Sequence, residues 1–188
     1  NPMATLAVDI TPDVNVYVKY ASGYRAGGAS SRSINYRAFG PEDVDSFEFG
    51  AKSELFNNRL RLNGALFTMD RTGSQIDFSV TTPQPNGSTR NTIETISAPG
   101  VTKISGVELE ANYSVTPELK LNAAYTYTFT KIPPTTNPFN GIVQPVFIVF
   151  TPRNVISGGI DYDHDLGFAA FRAHIDGNYA DATQNFDY

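Results

Sequence analysis

The chain is 188 residues long, carries a formal charge of -5 and contains no cysteine. That balance argues against a nucleic-acid partner, which would want a basic surface, and the absent thiols exclude a disulfide framework or a thiolate metal site. The longest apolar run, VFIVF at 146–150, falls far short of the ~20 residues a membrane helix needs, so only strands are left to cross a bilayer.

The opening NPMATLAVDI lacks the basic start and long apolar stretch of a signal peptide. Beyond it, alternation at a period of two recurs, the mark of strands with two unlike faces. In 14–24, Val14, Val16, Val18, Tyr20 and Tyr24 share one face, and Asn15, Tyr17 and Lys19 the other. In EFGAKSELFNNRLRLNGALF, 48–67, Phe49, Ala51 and Leu55 alternate with Glu48, Lys52 and Glu54 before the Asn pair. After it, Leu60, Leu62 and Leu66 alternate with Arg59, Arg61 and Asn63, which predicts a hairpin. In 107–115, Val107, Leu109, Ala111 and Tyr113 oppose Glu108, Glu110 and Asn112, and 119–130 repeats the pattern from Leu119 to Phe129. Ile156, Ile160 and Tyr162 share a face, and in 168–179 Phe171, Ala173, Ile175 and Tyr179 oppose Arg172, His174 and Asp176. No helical period competes, so the chain is read as all-β, with about eight or nine antiparallel up-and-down strands.

Short connections (11–13, 55–59, 116–118, 163–167) alternate with long ones rich in Gly, Pro, Ser and Thr (25–43, 82–100, 131–153, and beyond Ala180). Such alternation puts all tight turns at one end of the sheet, as in outer-membrane barrels. Alternation alone fits a soluble β-sandwich equally well. Connection asymmetry, long strands and aromatics near strand ends, such as Tyr20, Phe129, Tyr162 and Tyr179, favour a barrel wall. The apolar face is then expected to meet lipid. Glu48, Lys52, Arg61, Glu108, Glu110, Arg172 and His174 are expected to face a wet lumen, because a dry interior would penalise unpaired charges.

Four stretches resemble the barrel of TonB-dependent outer-membrane receptors. They are YVKYASGYRAGG (17–28), FGPEDVDSFEFGAKSELFNNRLRLNGALFTMDRTGSQIDF (39–78), ISGVELEANYSVTPELKLNAAYTYTFTKI (104–132) and TPRNVISGGIDYDHDLGFAAFRAHIDGNYADA (151–182). The resemblance implies part of a large transmembrane β-barrel of about 22 strands with a plugged lumen. Residues 1–188 are expected to be one partial barrel domain, since the family's plug and TonB-contacting box have no counterpart here. ATQNFDY, 182–188, makes no convincing closing strand, so a fragment is expected. The implied activity is uptake of a ferric siderophore or similar bulky nutrient, energised through TonB and its inner-membrane complex. The implied surroundings are outer-membrane lipid and lipopolysaccharide.

No constellation reads as catalytic, and no cofactor is called for. His164 is read as a turn residue and His174 as a polar wall residue. DYDHD, 161–165, spaces three aspartates alternately but lacks the Gly and Glu of a calcium loop, with Leu166 and Arg172 in their places. Gly23, Gly27 and Gly28 precede no helix, and so read as a flexible strand exit rather than a phosphate loop. The NGS at 86–88 and NYS at 112–114 match the glycosylation pattern only by chance in a bacterial setting. In the first long loop, Arg25, Arg32 and Arg37 with Tyr36 and Phe39 offer guanidinium forks and aromatic faces for an anionic, aromatic-rich ligand. The same arginines equally suit lipopolysaccharide phosphates, or Glu42, Asp43 and Asp45 nearby. PVFIVF, 145–150, reads as a buried extension of the wall or an apolar ligand contact. A complete eight-stranded barrel and a soluble binding sandwich are the alternatives.

Overall fold

The computed structural model describes residues 1–34 and 36–188, and the described residues form strands and turns without a helix. Eight strands make one sheet: β1 (Met3–Thr11), β2 (Val14–Arg25), β5 (Glu42–Leu55), β6 (Leu60–Thr72), β9 (Val101–Ser114), β10 (Leu119–Lys131), β13 (Asn154–Asp165) and β14 (Ala170–Ala180). Each pairs antiparallel with the next wall strand in the chain, an up-and-down meander. Three small hairpins stand outside it: β3 (Gly28–Ala29) with β4 (Ala38–Phe39), β7 (Gln75–Pro83) with β8 (Thr89–Ser97), and β11 (Thr135–Thr136) with β12 (Val143–Gln144). The wall strands have 9 to 14 residues, long enough for a tilted membrane crossing, which needs about 9–11.

Register carries two unlike faces across the sheet. Val18, Phe49, Leu66, Val107 and Tyr127 form one cross-strand row; Tyr17, Gly50, Ala65, Glu108 and Thr126 form the row behind it. The apolar face is uncovered: Phe47 is 55% exposed, Leu66 54% and Ile175 70%. A sandwich would interlock these side chains between two layers, so that alternative fails. A self-contained eight-stranded barrel fails too. Among the described residues β1 pairs only with β2 and β14 only with β13, leaving the sheet open.

Local chemistry sets the tight ends. Thr11 Oγ1 accepts from the Asp13 amide at 3.2 Å in the first turn. Asn57 and Asn58, with φ of 57° and 62°, make the second, asparagine being among the residues that best tolerate the left-handed region. Thr116 Oγ1 accepts from the Glu118 and Leu119 amides in the third, and Asp165 caps Gly167 at 2.7 Å in the fourth. That last turn lies later than expected. His164 sits inside β13, opposite Phe171 and stacked on Tyr162, while Asp161 and Asp163 are wall residues rather than turn residues.

At the other end the long connections build the only hydrophobic core among the described residues. The long connection expected at 82–100 begins about ten residues earlier. β6 ends at Thr72, Gly73 turns with φ +70°, and 75–97 folds as a separate hairpin. Phe78, fully buried, centres a cluster with Ile76, Ala98 and Val146, flanked by Ile96, Ile132 and Phe139. PVFIVF is thus no wall extension: Val146 enters this cluster, and Phe147 and Phe150 hang their amides on the Asp187 and Gln184 carbonyls. The final residues fold back onto the hairpin, where Tyr188 stacks on Phe78 at 4.8 Å.

Candidate functional site

The site builds up at the long-loop end, where strand tops and connections converge. Gly27 and Gly28 are not a flexible exit, as expected from sequence, but points of close approach. A Cβ on Gly27 would lie 2.4 Å from the Phe39 carbonyl oxygen, and one on Gly28 would lie 3.1 Å from the Phe39 ring. Only glycine lets β3 close on β4 here. Gly23, with open space around it, carries no such constraint.

Below this loop lies a buried polar knot. Glu42, 4% exposed, accepts from Arg71 through Nε at 3.1 Å and through Nη2, and from the Gln75 amide at 2.9 Å. The Gln75 side-chain amide reaches the Ala26 and Gly40 carbonyls at 3.0 and 3.1 Å. Ser74 donates to Thr102 at 2.8 Å beside it. One buried carboxylate thereby ties the top of β5 to β6 and to the root of the β7/β8 hairpin.

A second carboxylate fastens the loop from above. Glu94 on β8, 8% exposed, has the Ser33 hydroxyl 2.9 and 2.7 Å from its two oxygens and accepts from the Ile34 amide at 3.0 Å. The Ser33 oxygen in turn accepts from the Arg37 amide at 3.1 Å. Arg32 donates its amide to Ser30 Oγ, and its carbonyl takes the Ile93 amide.

The five loop residues singled out from sequence are distributed around this clasp. Arg32, Tyr36 and Arg37 are exposed, and Phe39 is half-buried over Gly28. Arg37, Phe39, Thr95, Ser97, Thr136 and Pro138 line one open cleft of about 340 Å³. Arg25 stands at the top of β2 opposite Glu42. The expected alternative partners, Glu42, Asp43 and Asp45, form no ion pair with Arg25, Arg32 or Arg37 among the described residues; Glu42 is taken by Arg71. Arg71, Gln75, Ser33 and Glu94 were not foreseen.

Along the wall, register places Glu48, Lys52, Arg61, Glu108, Glu110, Arg172 and His174 on one face, opposite the leucines. They are held locally. Tyr17 donates to Glu48 at 2.6 Å, and Lys52 stands 5.6 Å above the Tyr17 ring. Arg61 pairs with Glu54 at 2.9 Å, and Glu110 accepts from Asn63 and Asn112. Tyr17, Lys52, Asn63, Glu108, Glu110 and Thr126 line a shallow cleft of about 470 Å³. Arg172 meets Asp163 at 3.4 Å; His174 lies 2.6 Å from Asp161 and 3.0 Å from Asp176. No group of three or more His, Asp or Glu is placed to hold a metal among the described residues.

Residues 1–188 match the family described as TonB dependent receptor-like, beta-barrel. The probable TonB-dependent siderophore receptor PiuA of Acinetobacter baumannii is 28% identical over 125 residues, 62% of this chain and 15% of that protein. The ferric-pyoverdine M114 receptor PbuA of a Pseudomonas species is 29% identical over 132 residues, again covering 15% of its length. Among solved structures, the ferric yersiniabactin uptake receptor FyuA of Yersinia pestis superposes with a TM-score of 0.68 at 18% identity, over 95% of this chain and 25% of that one. The ferric preacinetobactin receptor BauA of Acinetobacter baumannii gives 0.60 at 20% identity, over 94% and 24%. The chain spans about 15% of the curated relatives it matches. It belongs to the TonB-dependent receptor-like β-barrel family of the bacterial outer membrane.

Proposed function

We propose that this chain forms one sector of the wall and extracellular vestibule of a receptor that imports a ferric siderophore or a similar bulky nutrient. The single observation behind this reading is the inverted exposure of the sheet, apolar on its open face and charged on the other, joined to a packed cap of long loops at one end only. A wall of this kind puts its leucines in hydrocarbon and its ionisable side chains around a hydrated lumen. Glu48, Lys52, Arg61, Glu108, Glu110, Arg172 and His174 then line the passage.

Residues 1–188 act as one partial barrel domain, and the free edges of β1 and β14 pair with further strands of a barrel of about 22. A plug in the lumen and TonB with its inner-membrane complex supply gating and energy, and the chain itself performs no chemical reaction. Arg25, Arg32, Tyr36, Arg37 and Phe39 border the vestibule, where guanidinium and aromatic groups suit an anionic aromatic chelate. The siderophore assignment draws on the names of the relatives.

The test is uptake of radioiron by cells whose one such receptor is the full-length protein, with catecholate, hydroxamate and pyoverdine-type carriers offered in turn. One carrier class should be taken up, dependent on the inner-membrane proton gradient, and Arg32→Ala/Arg37→Ala should raise the concentration for half-maximal uptake. Energy-independent uptake refutes active import, and uptake with none of the ferric carriers refutes the siderophore assignment.

A further inference from the structure

The apolar face of the wall does not stay apolar to its extracellular end. Above the row of Tyr20, Phe47, Thr68, Ser105 and Phe129 the next cross-strand row is Ser22, Asp45, Asp70, Lys103 and Lys131. Asp45 accepts from the Tyr20 hydroxyl at 2.7 Å, and Asp70 meets Lys103 at 3.5 Å. Lys131 has no carboxylate partner among the described residues, though it lies directly across from Lys103. Like charges facing each other across strands repel, and the one carboxylate that meets Lys103 does not neutralise two ammonium groups. Negative charge gathers on β5 and β6, positive charge on β9 and β10.

Height decides what meets the lysines. From Leu60, at the periplasmic end of β6, to Asp70 is ten residues, about 33 Å along a strand at ~3.3 Å per residue. A tilt of ~40° reduces this to about 25 Å, the height of a barrel's apolar band. The charged row therefore sits where hydrocarbon gives way to head groups.

We propose that Lys103 and Lys131 form an anchor for a phosphate of the lipopolysaccharide head group on the outer surface of the barrel. This rests on the orientation proposed above, with the apolar face in lipid. Two ammonium groups a strand apart can share one phosphate, which removes their mutual repulsion and compensates the cation that Asp70 leaves unmatched. Asp45 and Asp70 repel the anion from β5 and β6 and so confine it to β9 and β10.

The experiment is native mass spectrometry of the detergent-purified full-length receptor titrated with bisphosphorylated lipid A, with its dephosphorylated form, and with inorganic phosphate as competitor. The wild type should hold the bisphosphorylated lipid more tightly. Lys103→Ala/Lys131→Ala should weaken it about thirtyfold, roughly fivefold for each lysine near an anionic lipid surface. Lys103→Arg/Lys131→Arg should retain binding, and Asp70→Asn should strengthen it. Equal binding of both lipids, indifferent to the double alanine, overturns the phosphate site while leaving the apolar face in lipid. Full displacement by millimolar inorganic phosphate overturns the choice of lipid as the source. No lipid binding, with Leu109 and Leu121 positions labelled by water-soluble reagents, overturns the orientation itself.

Discussion

Glu94 offers a sharp perturbation because so much of the first long loop depends on it. Glu94→Ala in the full-length receptor removes the acceptor for the Ser33 hydroxyl and the Ile34 amide. Hydrogen bonds to a charged acceptor contribute about 1.5–3 kcal/mol each, and a stranded buried hydroxyl such as Ser33 costs about 1–3 kcal/mol. Removing the desolvation cost of a buried carboxylate offsets part of this. A net loss of about 2–3 kcal/mol in the closed loop raises the open population by roughly 30- to 150-fold.

Trypsin reads that population directly. Arg32 and Arg37 flank the clasp and are exposed, but cleavage needs the backbone around Ser33 to open, so its rate follows the open fraction. Cleavage at these two arginines should accelerate by the same factor, while cleavage at Arg90, across the hairpin, stays near its original rate. Glu94→Gln should fall between, since its amide oxygen still accepts from one donor. An unchanged rate in a folded Glu94→Ala receptor would refute the clasp and assign the loop's position to the Gly27/Phe39 packing instead. Acceleration at Arg90 as well would mean that the hairpin, not the clasp, has come apart.

Three further outcomes are expected. The 188 residues contain no native cysteine, so single cysteines at Glu48, Arg61 and Glu110 should react with a water-soluble thiol reagent while those at Leu60, Leu109 and Leu121 react with a lipid-soluble one; the reverse pattern ends the barrel orientation. Gly106→Ala puts a Cβ 2.2 Å from the Tyr127 carbonyl oxygen, and backbone cannot yield as a side-chain tip can, so a loss of about 3 kcal/mol or more is expected as a lowered heat-shift temperature on gels. Asp181, beyond the end of β14, is held below the usual carboxylate range by its Asn154 hydrogen bonds and the Tyr179 hydroxyl. A depressed folded value stabilises above the unfolded pKa of about 3.9 and is lost as pH falls through the folded value. The protection of the Asn154 amide, taken against the intrinsic exchange rate at each pH, should therefore fall on acidification into that window, and Asp181→Asn should abolish that fall.

What sequence could and could not reveal divides along the same line as the forces. The wall was legible because each strand is solved locally. Two solvents act on two faces, and a period of two records both, so the strand pairs from Val14 to Leu66 and from Val107 to Tyr179 follow from alternation alone. The same signal misled at β7. Ile76, Phe78 and Val80 keep the wall's alternation, and only the left-handed turn at Gly73, where a Cβ would sit 2.6 Å from the Pro41 carbonyl, sends the chain out of the sheet. The cap and the knots were invisible for a different reason. Glu42 meets Arg71 across 29 residues, and Glu94 meets Ser33 across 61, so neither pairing leaves a periodic trace. A carboxylate in a loop reads as solvated until the fold shows what covers it. The loop cap, whose shape depends on those long-range bonds, is therefore the part of this chain least predictable from alternation, while the wall that carries it is the most.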